Sequence, residues 1–232
     1  MNRQINISRA RFSRLAWDAI LEEASCYRHL ASELDEASLA CEKLRFSADY
    51  NTGSISNAAM WCIAASALMF SPKIVAEVGT FIGKSTQSLA WGMSKKEGGY
   101  ILTCDFSNKI ALPDMFRVKI IQFEKQSSTD MFNHMAEKKI KADFLFLDGR
   151  IAPEDIKLLP QVIHENAVIL LDDFEGVEKG VINAIHLMAM ESEAYKKLVY
   201  PPSSELLARH GVHGPCNLGM ILPNTRFGWT NQ

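Results

Sequence analysis

The chain has 232 residues, of which 25 are basic and 27 acidic, and its apolar share of 47% is ordinary for a globular protein. Its formal charge of −2, without any run of like charges, argues against nucleic acid or an anionic membrane as a partner and favours a small ligand. This length predicts one large domain, residues 51–232, preceded by an added N-terminal segment, residues 1–50.

The cysteines and the apolar runs bear on the compartment. The five cysteines are odd in number, widely spread and without a CxxC pair, which argues against a disulfide framework or a zinc site and fits a reducing cytoplasm. Residues 1–20 lack the basic segment and apolar core of a signal peptide. The longest apolar run, at 58–70, is shorter than the ~20 residues that a membrane span needs, so it predicts a buried helix.

The N-terminal segment is predicted to form one or two amphipathic helices, because apolar residues recur at roughly helical intervals from about 10 to 46. We expect it to act as a cap or as an oligomer interface. Turn-forming residues follow it. Ser54 or Ser56 is the expected N-cap of a helix that runs through Phe70.

The remainder of the chain alternates short apolar runs with helical segments. Nearly continuous apolar character at this length is typical of strands covered on both faces. The predicted strands are 73–79, 100–105, 118–123, 143–148, 167–173, 198–200 and 217–223. The predicted helices are 84–95, 128–138, 153–165 and about 177–197. This alternation predicts an α/β fold with a doubly wound, mainly parallel, Rossmann-like sheet of seven strands. The last two strands lack a long crossover helix between them, so the last strand is expected to be antiparallel.

The stretch EVGTFIGKST at 77–86 combines two ligand-binding patterns. Its end, GKST, is similar to a P-loop, which needs four residues between its first glycine and the Gly-Lys pair. Here only three residues separate Gly79 from Gly83, and Val78 stands where the first glycine should be. A β-branched valine adopts the required open backbone poorly, so a triphosphate site is disfavoured. Lys84 is then expected to be a solvated side chain in the first turn of the next helix.

The other pattern uses more of these residues. Gly79 permits a tight turn close to a ligand, and Gly83 opens the next helix, whose free N–H groups face a negative group. Asp105 ends the second strand 22 residues after Gly83, where an acidic side chain can bind ribose hydroxyls. The nicotinamide fingerprint GxGxxG is absent. In the alternative interpretation, the glycines only shape the turn and Asp105 caps a helix.

Together with LTCD, FLFLDG and VILLDD, this stretch resembles a class I S-adenosylmethionine-dependent methyltransferase of the O-methyltransferase branch, typified by catechol O-methyltransferase. The resemblance covers roughly residues 50–225 and matches the pattern E-[LIV]-G-x-x-x-G-x-S at 77–85. It implies S-adenosylmethionine as the cofactor and transfer of its methyl group to a small-molecule acceptor, with oxygen as the favoured accepting atom.

The resemblance also assigns roles. Gly79 and Gly83 would line the methionine part of the cofactor, Ser85 would face its carboxylate, and Asp105 would take both ribose hydroxyls. The segment 126–130 lies where that family contacts adenine. The implied cofactor-binding residues are Glu77, Gly79, Thr80, Phe81, Gly83, Ser85, Asp105, Phe106, Ser127, Ser128 and Asp148.

Three aspartates follow the fourth and fifth strands, namely Asp148, Asp172 and Asp173. Because the carboxyl ends of neighbouring parallel strands meet at one edge, these carboxylates should converge. They would repel each other unless a cation lay among them, and oxygen ligands suit Mg²⁺. In the resembled family such an ion holds the substrate oxygen and lowers its pKa, which makes Asp148 the catalytic candidate. In the alternative interpretation, one aspartate caps the following helix and another faces water.

Two departures from the family leave its base unassigned. The family's pair after strand five is Asp-Asn, whereas Asp172-Asp173 is closer to the cephalosporin hydroxylase-like branch. The catechol enzyme's lysine has no counterpart, since Ile151 stands in that place. The remaining base candidates, His210 and His213, lie between the closing strands.

The N-terminal helices and residues 50–57 would cover the substrate, with Tyr50 or Trp61 able to stack on an aromatic one. The missing base leaves a second hypothesis, a non-catalytic S-adenosylmethionine-binding subunit whose N-terminal helices form a homo-oligomer interface.

Overall fold

The structure is a computed structural model that describes residues 8–48, 53–106, 111–175, 179–190 and 197–223. Its α-helices are α1 (Arg9–Ser25), α2 (Ala31–Leu44), α3 (Asn57–Phe70), α4 (Lys84–Ser94), α5 (Ser128–Glu137), α6 (Pro153–Val162), α7 (Lys179–Met188) and α8 (Ser204–Arg209). Its strands are β1 (Ile74–Val78), β2 (Tyr100–Asp105), β3 (Lys119–Glu124), β4 (Ala142–Leu147), β5 (Ile163–Leu171), β6 (Lys197–Val199) and β7 (Gly219–Leu222).

The seven strands form one sheet in the order β3-β2-β1-β4-β5-β7-β6. The first five pair in parallel, and β7 is antiparallel to both of its neighbours. This confirms the predicted doubly wound, mainly parallel sheet with an antiparallel member near its end. The chain proceeds outward from β1 to β3 and then returns to β4 on the other side of β1. The switch point therefore lies between the carboxyl ends of β1 and β4, where ligands bind in such sheets.

Each face of the sheet carries its own hydrophobic core, because side chains alternate along the strands. In β4, Phe144 and Phe146 pack with the helices α1, α3 and α4, whereas Leu145 and Leu147 pack with α5, α6 and α7. Every one of these four side chains is fully buried. Burial on both faces explains why the strands read as continuous apolar runs in the sequence.

Helix α3 lies within one of these cores, and its residues 58–68 are all buried. The Ser56 hydroxyl caps it by accepting a hydrogen bond from the Ala59 N–H at 3.0 Å, which settles the predicted choice of N-cap in favour of Ser56. Across the described ranges, no helix is both long enough and apolar enough to cross a membrane.

A helix boundary and a short helix differ from the sequence-based prediction. The helix expected to run to 165 ends at Val162, because Ile163 already pairs with Ala142 in the sheet. The helix α8 was not predicted, although Ser203 caps it by accepting from the Leu206 N–H at 3.2 Å. Of the helix predicted over 177–197, the structure shows α7, and residues 177–178 and 191–196 lie outside the described residues.

Candidate functional site

The turn between β1 and α4 has the backbone that the two glycines predict. Gly79 has φ +101° and Gly83 has φ +83°, both in the left-handed region that favours glycine. The Gly79 N–H donates to the Cys104 carbonyl at 3.0 Å, which ties the turn to the end of β2. A Cβ at Gly79 would also lie 3.1 Å from the backbone carbonyl carbon of Asp148. The ends of β1, β2 and β4 therefore meet around this turn.

Asp105 reaches across to the same turn. Its Oδ2 accepts a hydrogen bond from the Phe81 N–H at 2.7 Å, and Phe81 has a positive φ of 43°, unusual for an aromatic residue. The neighbouring Phe106 side chain is exposed. This hydrogen bond fixes Asp105, at the end of β2, beside the turn that follows β1. A ligand that contacts both the turn and Asp105 needs them this close together.

Glu77 is fully buried at the end of β1. Its Oε2 accepts from the Thr86 hydroxyl at 2.6 Å, while its Oε1 has no hydrogen-bond partner. Burial raises the pKa of Glu77 to about 7, although the nearby hydroxyls of Ser85 and Thr86 act to lower it. A buried acceptor without a partner beside a glycine turn is a position where a bound polar group would be stabilised.

The other two candidates in the turn, Thr80 and Ser85, are both buried. The Thr80 hydroxyl forms a hydrogen bond with the Thr103 hydroxyl of β2. The turn is therefore held to the next strand by side chains as well as by backbone groups.

Lys84 was expected to be solvated, and that prediction is wrong. Its side chain is buried, and its Nζ lies 3.4 Å from Oε1 of Glu42 in α2. The same helix packs Cys41 against Phe81 and Ile82. Lys84 is covered because α2 lies over the turn, a contact between distant segments that local periodicity does not reveal.

Ser127 and Ser128 lie at the start of α5 and have partners within the protein. Ser127 forms a capping box with Asp130, in which its hydroxyl accepts from the Asp130 N–H at 3.2 Å and its own N–H donates to the Asp130 carboxylate at 2.9 Å. The Ser128 hydroxyl donates to Asp155 at 2.6 Å. Both hydroxyls thus stabilise the helix, and their predicted contact with adenine stays a prediction.

The three aspartates do converge, as the strand order predicts. The Asp148 N–H donates to the Val78 carbonyl at 2.8 Å, and the Asp172 N–H donates to the Leu147 carbonyl at 2.9 Å. With Asp173 they line a cavity of about 370 Å³. The remaining lining residues are Gly53, Ser54, Ile55, Ser56, Ala59, Lys179, Pro215 and Asn217.

Lys179, the first residue of α7, lies among these carboxylates and escaped the sequence analysis. Its Nζ is 2.8 Å from Asp148 Oδ1, 3.0 Å from the Asp148 carbonyl oxygen and 2.7 Å from Asp173 Oδ2. It follows Asp148 by 31 residues, so no local motif joins the two. In the sequence, the adjacent Gly180 is the only hint of a close contact at this place. In the structure, a Cβ at Gly180 would lie 2.2 Å from the Asp172 carbonyl oxygen.

The cluster is electrostatically coupled. Burial raises the pKa of Asp148 to about 6, although the adjacent Lys179 ammonium acts to lower it. Burial and the charge of Asp148 raise the pKa of Asp172 to about 7. Burial acts to lower the pKa of Lys179, but the charges and hydrogen bonds of Asp148 and Asp173 together raise it. Within the ranges that the structure describes, no three acidic, histidine or cysteine side chains are arranged to hold a metal ion.

The remaining candidates lie elsewhere or in the core. Trp61 is buried, with the Arg28 guanidinium 4.6 Å from its ring centroid, so it packs in the core and does not line the cavity. His210 Nε2 is 2.9 Å from Oδ1 of Asp18 in α1. His213 is exposed, and Tyr50 lies outside the described residues.

No protein-family model matches the chain, and no curated protein is similar to it in sequence. Solved structures do resemble it. The O-methyltransferase from Bacillus cereus, solved in complex with SAH, superimposes with a TM-score of 0.56 at 16% identity, covering 83% of this chain and 90% of that one. The chain has the methyltransferase fold.

A second structure with this fold is the O-methyltransferase TomG from Streptomyces achromogenes, involved in tomaymycin synthesis and solved in complex with SAM. It matches with a TM-score of 0.55 at 15% identity, covering 82% of this chain and 89% of that one. In the methyltransferase fold of the present chain, Gly79, Asp105 and Asp148 all lie at the edge of the sheet that contains the switch point.

Proposed function

We propose that the protein is an S-adenosylmethionine-dependent methyltransferase that transfers a methyl group to an oxygen of a small-molecule acceptor. The observation that carries this proposal is the hydrogen bond between the Phe81 N–H and Asp105, which joins the glycine turn to the end of β2, next to the switch point. Both ends of S-adenosylmethionine, the ribose and the charged amino-acid group, would have polar partners along this one edge.

The cofactor would lie across the carboxyl ends of β1 and β2. Asp105 would accept hydrogen bonds from the ribose hydroxyls, and the exposed ring of Phe106 offers an apolar face for a base. The cofactor's ammonium group would lie near Glu77, whose Oε1 is buried without a partner. Gly79 and Gly83 allow the backbone to approach the methionine part closely.

The acceptor would occupy the cavity of about 370 Å³ beside Asp148, a volume within the range for small-molecule sites. Asp148 and Asp172 offer carboxylate oxygens to which an acceptor hydroxyl can donate. The sulfonium cofactor, when bound, supplies a reactive methyl group. With the cofactor bound, the acceptor oxygen would take up that methyl group and release its hydroxyl proton to water, and the cofactor would leave as the neutral thioether. The protein's part is to align these atoms and to exclude other nucleophiles.

The predicted Mg²⁺ does not fit the cluster as the residues stand. Asp148 and Asp173 would supply oxygen ligands, but the Lys179 ammonium already lies between them. A metal ion would bind here only if Lys179 moved away. Metal dependence is therefore left out of the proposed reaction.

The N-terminal segment, residues 1–50, is proposed to cap the cofactor turn, because α2 contacts Lys84, Phe81 and Ile82. A homo-oligomer formed through its outer surface is compatible with that role. We place the protein in the cytoplasm, where its five free thiols would remain reduced.

Titration calorimetry with S-adenosylhomocysteine tests the proposal. We expect the wild type to bind it and Asp105→Ala to weaken binding roughly tenfold or more, since two charge-assisted hydrogen bonds to the ribose would be lost. Asp114→Ala, which removes an exposed loop carboxylate, is the matched control and should bind normally. Absence of binding to the wild type would contradict the proposal.

A second measurement separates the enzyme from a non-catalytic binding subunit. Transfer of a labelled methyl group to any member of a library of small hydroxyl compounds would exclude the subunit. Binding of S-adenosylhomocysteine without transfer to any compound would favour it.

A further inference from the structure

The acidic cluster needs a positive charge that neither the cofactor turn nor the sheet provides. Asp172 is buried and Asp148 is partly buried, at the ends of adjacent strands, with Asp173 next to them. Carboxylates held this close in a poorly solvated site repel one another and favour protonation unless a cation compensates them. The identity of that cation decides how the site works.

Lys179 already occupies the position of the cation. Its Nζ makes three contacts at hydrogen-bonding distance, to Oδ1 and the carbonyl oxygen of Asp148 and to Oδ2 of Asp173. An ammonium has three N–H donors, so all of them are used within the cluster. The distances of 2.7 and 2.8 Å to the two carboxylates suit charge-assisted N–H···O bonds, whereas Mg²⁺ takes oxygens at about 2.0–2.1 Å.

The position of Lys179 is fixed by the helix that carries it. At Gly180 the helix approaches the Asp172 carbonyl so closely that a Cβ would lie 2.2 Å from it. One turn later, the buried Asn183 donates from Nδ2 to the Gly149 carbonyl at 2.8 Å and accepts at Oδ1 from the Ile151 N–H at 3.2 Å. The first turn of α7 is therefore attached to the end of β5 and to the loop after β4. The lysine is held in place by backbone contacts that do not depend on its own charge.

We propose that Lys179 is a built-in counter-cation that takes the place of a divalent metal ion, so that this protein binds no metal in the acidic cluster. The absence of a bound metal does not depend on the proposed function. Its consequence, methyl transfer that needs no divalent metal, rests on that function. Lys179 acts as a positioning residue, since its donors are spent on Asp148 and Asp173 and it holds both carboxylates in fixed orientations.

Binding of Mn²⁺, followed by electron paramagnetic resonance of the full chain, tests this inference without any acceptor. The wild type should show no stoichiometric Mn²⁺ binding. Lys179→Met removes the charge at similar length and leaves the carboxylates uncompensated, so its affinity for Mn²⁺ should rise roughly tenfold or more. Lys96→Met, which removes a lysine paired with Glu23 on the surface, is the control and should behave as the wild type.

A thermal-unfolding readout accompanies the titration. The midpoint of the wild type should not respond to chelator or to added Mg²⁺, whereas that of Lys179→Met should be lowered and then raised again by Mg²⁺. If Lys179→Met does not fold, Lys179→Arg retains the charge and should fold without gaining Mn²⁺ binding, and the wild-type titration decides. One equivalent of Mn²⁺ on the wild type, lost in Asp148→Asn, would overturn the proposal. So would a folded Lys179→Met that binds Mn²⁺ no better than the wild type.

Calorimetry with S-adenosylhomocysteine on the same samples separates the two proposals. If the wild type binds neither S-adenosylhomocysteine nor Mn²⁺ while Lys179→Met gains Mn²⁺, the proposed function fails and the counter-cation remains. If S-adenosylhomocysteine binds and the wild type also takes Mn²⁺ at the cluster, the counter-cation fails and the proposed function remains.

Discussion

At the scale of single residues, Glu77 links the turn between β1 and α4 to stability. Its pKa is raised to about 7 by burial, against 4.5 for the unfolded chain. Because the folded state holds the proton more tightly, the contribution of Glu77 is most favourable below pH 4.5 and is lost as the pH rises towards 7. A shift of this size corresponds to about 3 kcal/mol of unfolding free energy.

This predicts the effect of Glu77→Gln on the ligand-free protein. Urea unfolding at about pH 5 and about pH 8 should show that the wild type loses roughly 2–3 kcal/mol more stability over this range than the variant does. Glu36→Gln, on the exposed side of α2, should follow the wild type. Equal pH dependence in the wild type and Glu77→Gln would show that Glu77 is ionised in the folded state.

Residues set by local geometry were predictable from the sequence, and residues set by tertiary neighbours were not. The spacing of Gly79, Gly83 and Asp105 identified the turn. The two glycines lie close together in the sequence, and Asp105 marks the end of the next strand. Lys179 and the burial of Lys84 depend on helices that are distant in the sequence. Charge complementarity between such segments leaves no periodic pattern.

At the scale of elements, α2 supports the conformation of the turn between β1 and α4. Glu42 lies 3.4 Å from Lys84 and 2.9 Å from Arg45, and the Arg45 guanidinium carbon is 5.2 Å from the Phe81 ring centroid. Phe81 is the residue whose N–H bonds to Asp105. The helix therefore supports the conformation in which Asp105 faces the turn.

Removing the partner of the buried ammonium should be costly. Glu42→Ala is expected to destabilise the protein by roughly 1–3 kcal/mol, because Lys84 would stay buried without a carboxylate. Adding Lys84→Met should recover part of that loss, since a side chain of similar length then carries no charge. Glu36→Ala, on the solvent side of the same helix, is the control. Chemical denaturation of the four proteins measures this, and a loss in Glu42→Ala no larger than in the control would contradict it.

The sequence predicted the elements correctly where burial produces a recognisable pattern of apolar residues. Each of the seven strands was predicted. The central strands are buried on both faces, which gives a continuous apolar run, whereas the edge strands β3 and β6 are only partly buried. The boundary at Ile163 was missed because its pairing with Ala142 is set by the register of the sheet. The helix α8 was missed because six residues are too few to display a helical period, even behind the N-cap Ser203.

At the scale of the whole molecule, the N-terminal helices share a core with the sheet. Trp17 and Leu21 of α1 belong to the same buried cluster as Ile63 of α3 and Phe146 of β4. The Trp17 Nε1 also donates to the Tyr200 carbonyl at 2.9 Å. We therefore expect residues 1–50 to unfold together with the remainder of the chain, even though they are proposed to have a separate role.

Trp17→Ala tests this cooperativity. It should lower the stability of the entire chain by about 3–5 kcal/mol, since a large buried aromatic is removed. Calorimetry should show one transition, shifted as a whole. Phe46→Ala, which removes an aromatic ring that is 95% exposed, should leave the transition nearly unchanged. A separate early transition in Trp17→Ala would indicate that residues 1–50 fold independently.

The close approach of Gly79 to the backbone of Asp148 also sets the distance between the two halves of the proposed site. It joins the donor side of the proposed reaction, on β1, to the acceptor side, on β4, through two strands that lie about 4.8 Å apart in any sheet. The transfer distance would then be set by the stiffest part of the molecule. The cavity proposed for the acceptor is lined, apart from the aspartates and Lys179, by residues 53–56, Ala59, Pro215 and Asn217, which lie outside the parallel strands. Substitutions of those lining residues would therefore change which acceptor binds. The distance between the methyl donor and the acceptor oxygen would stay the same.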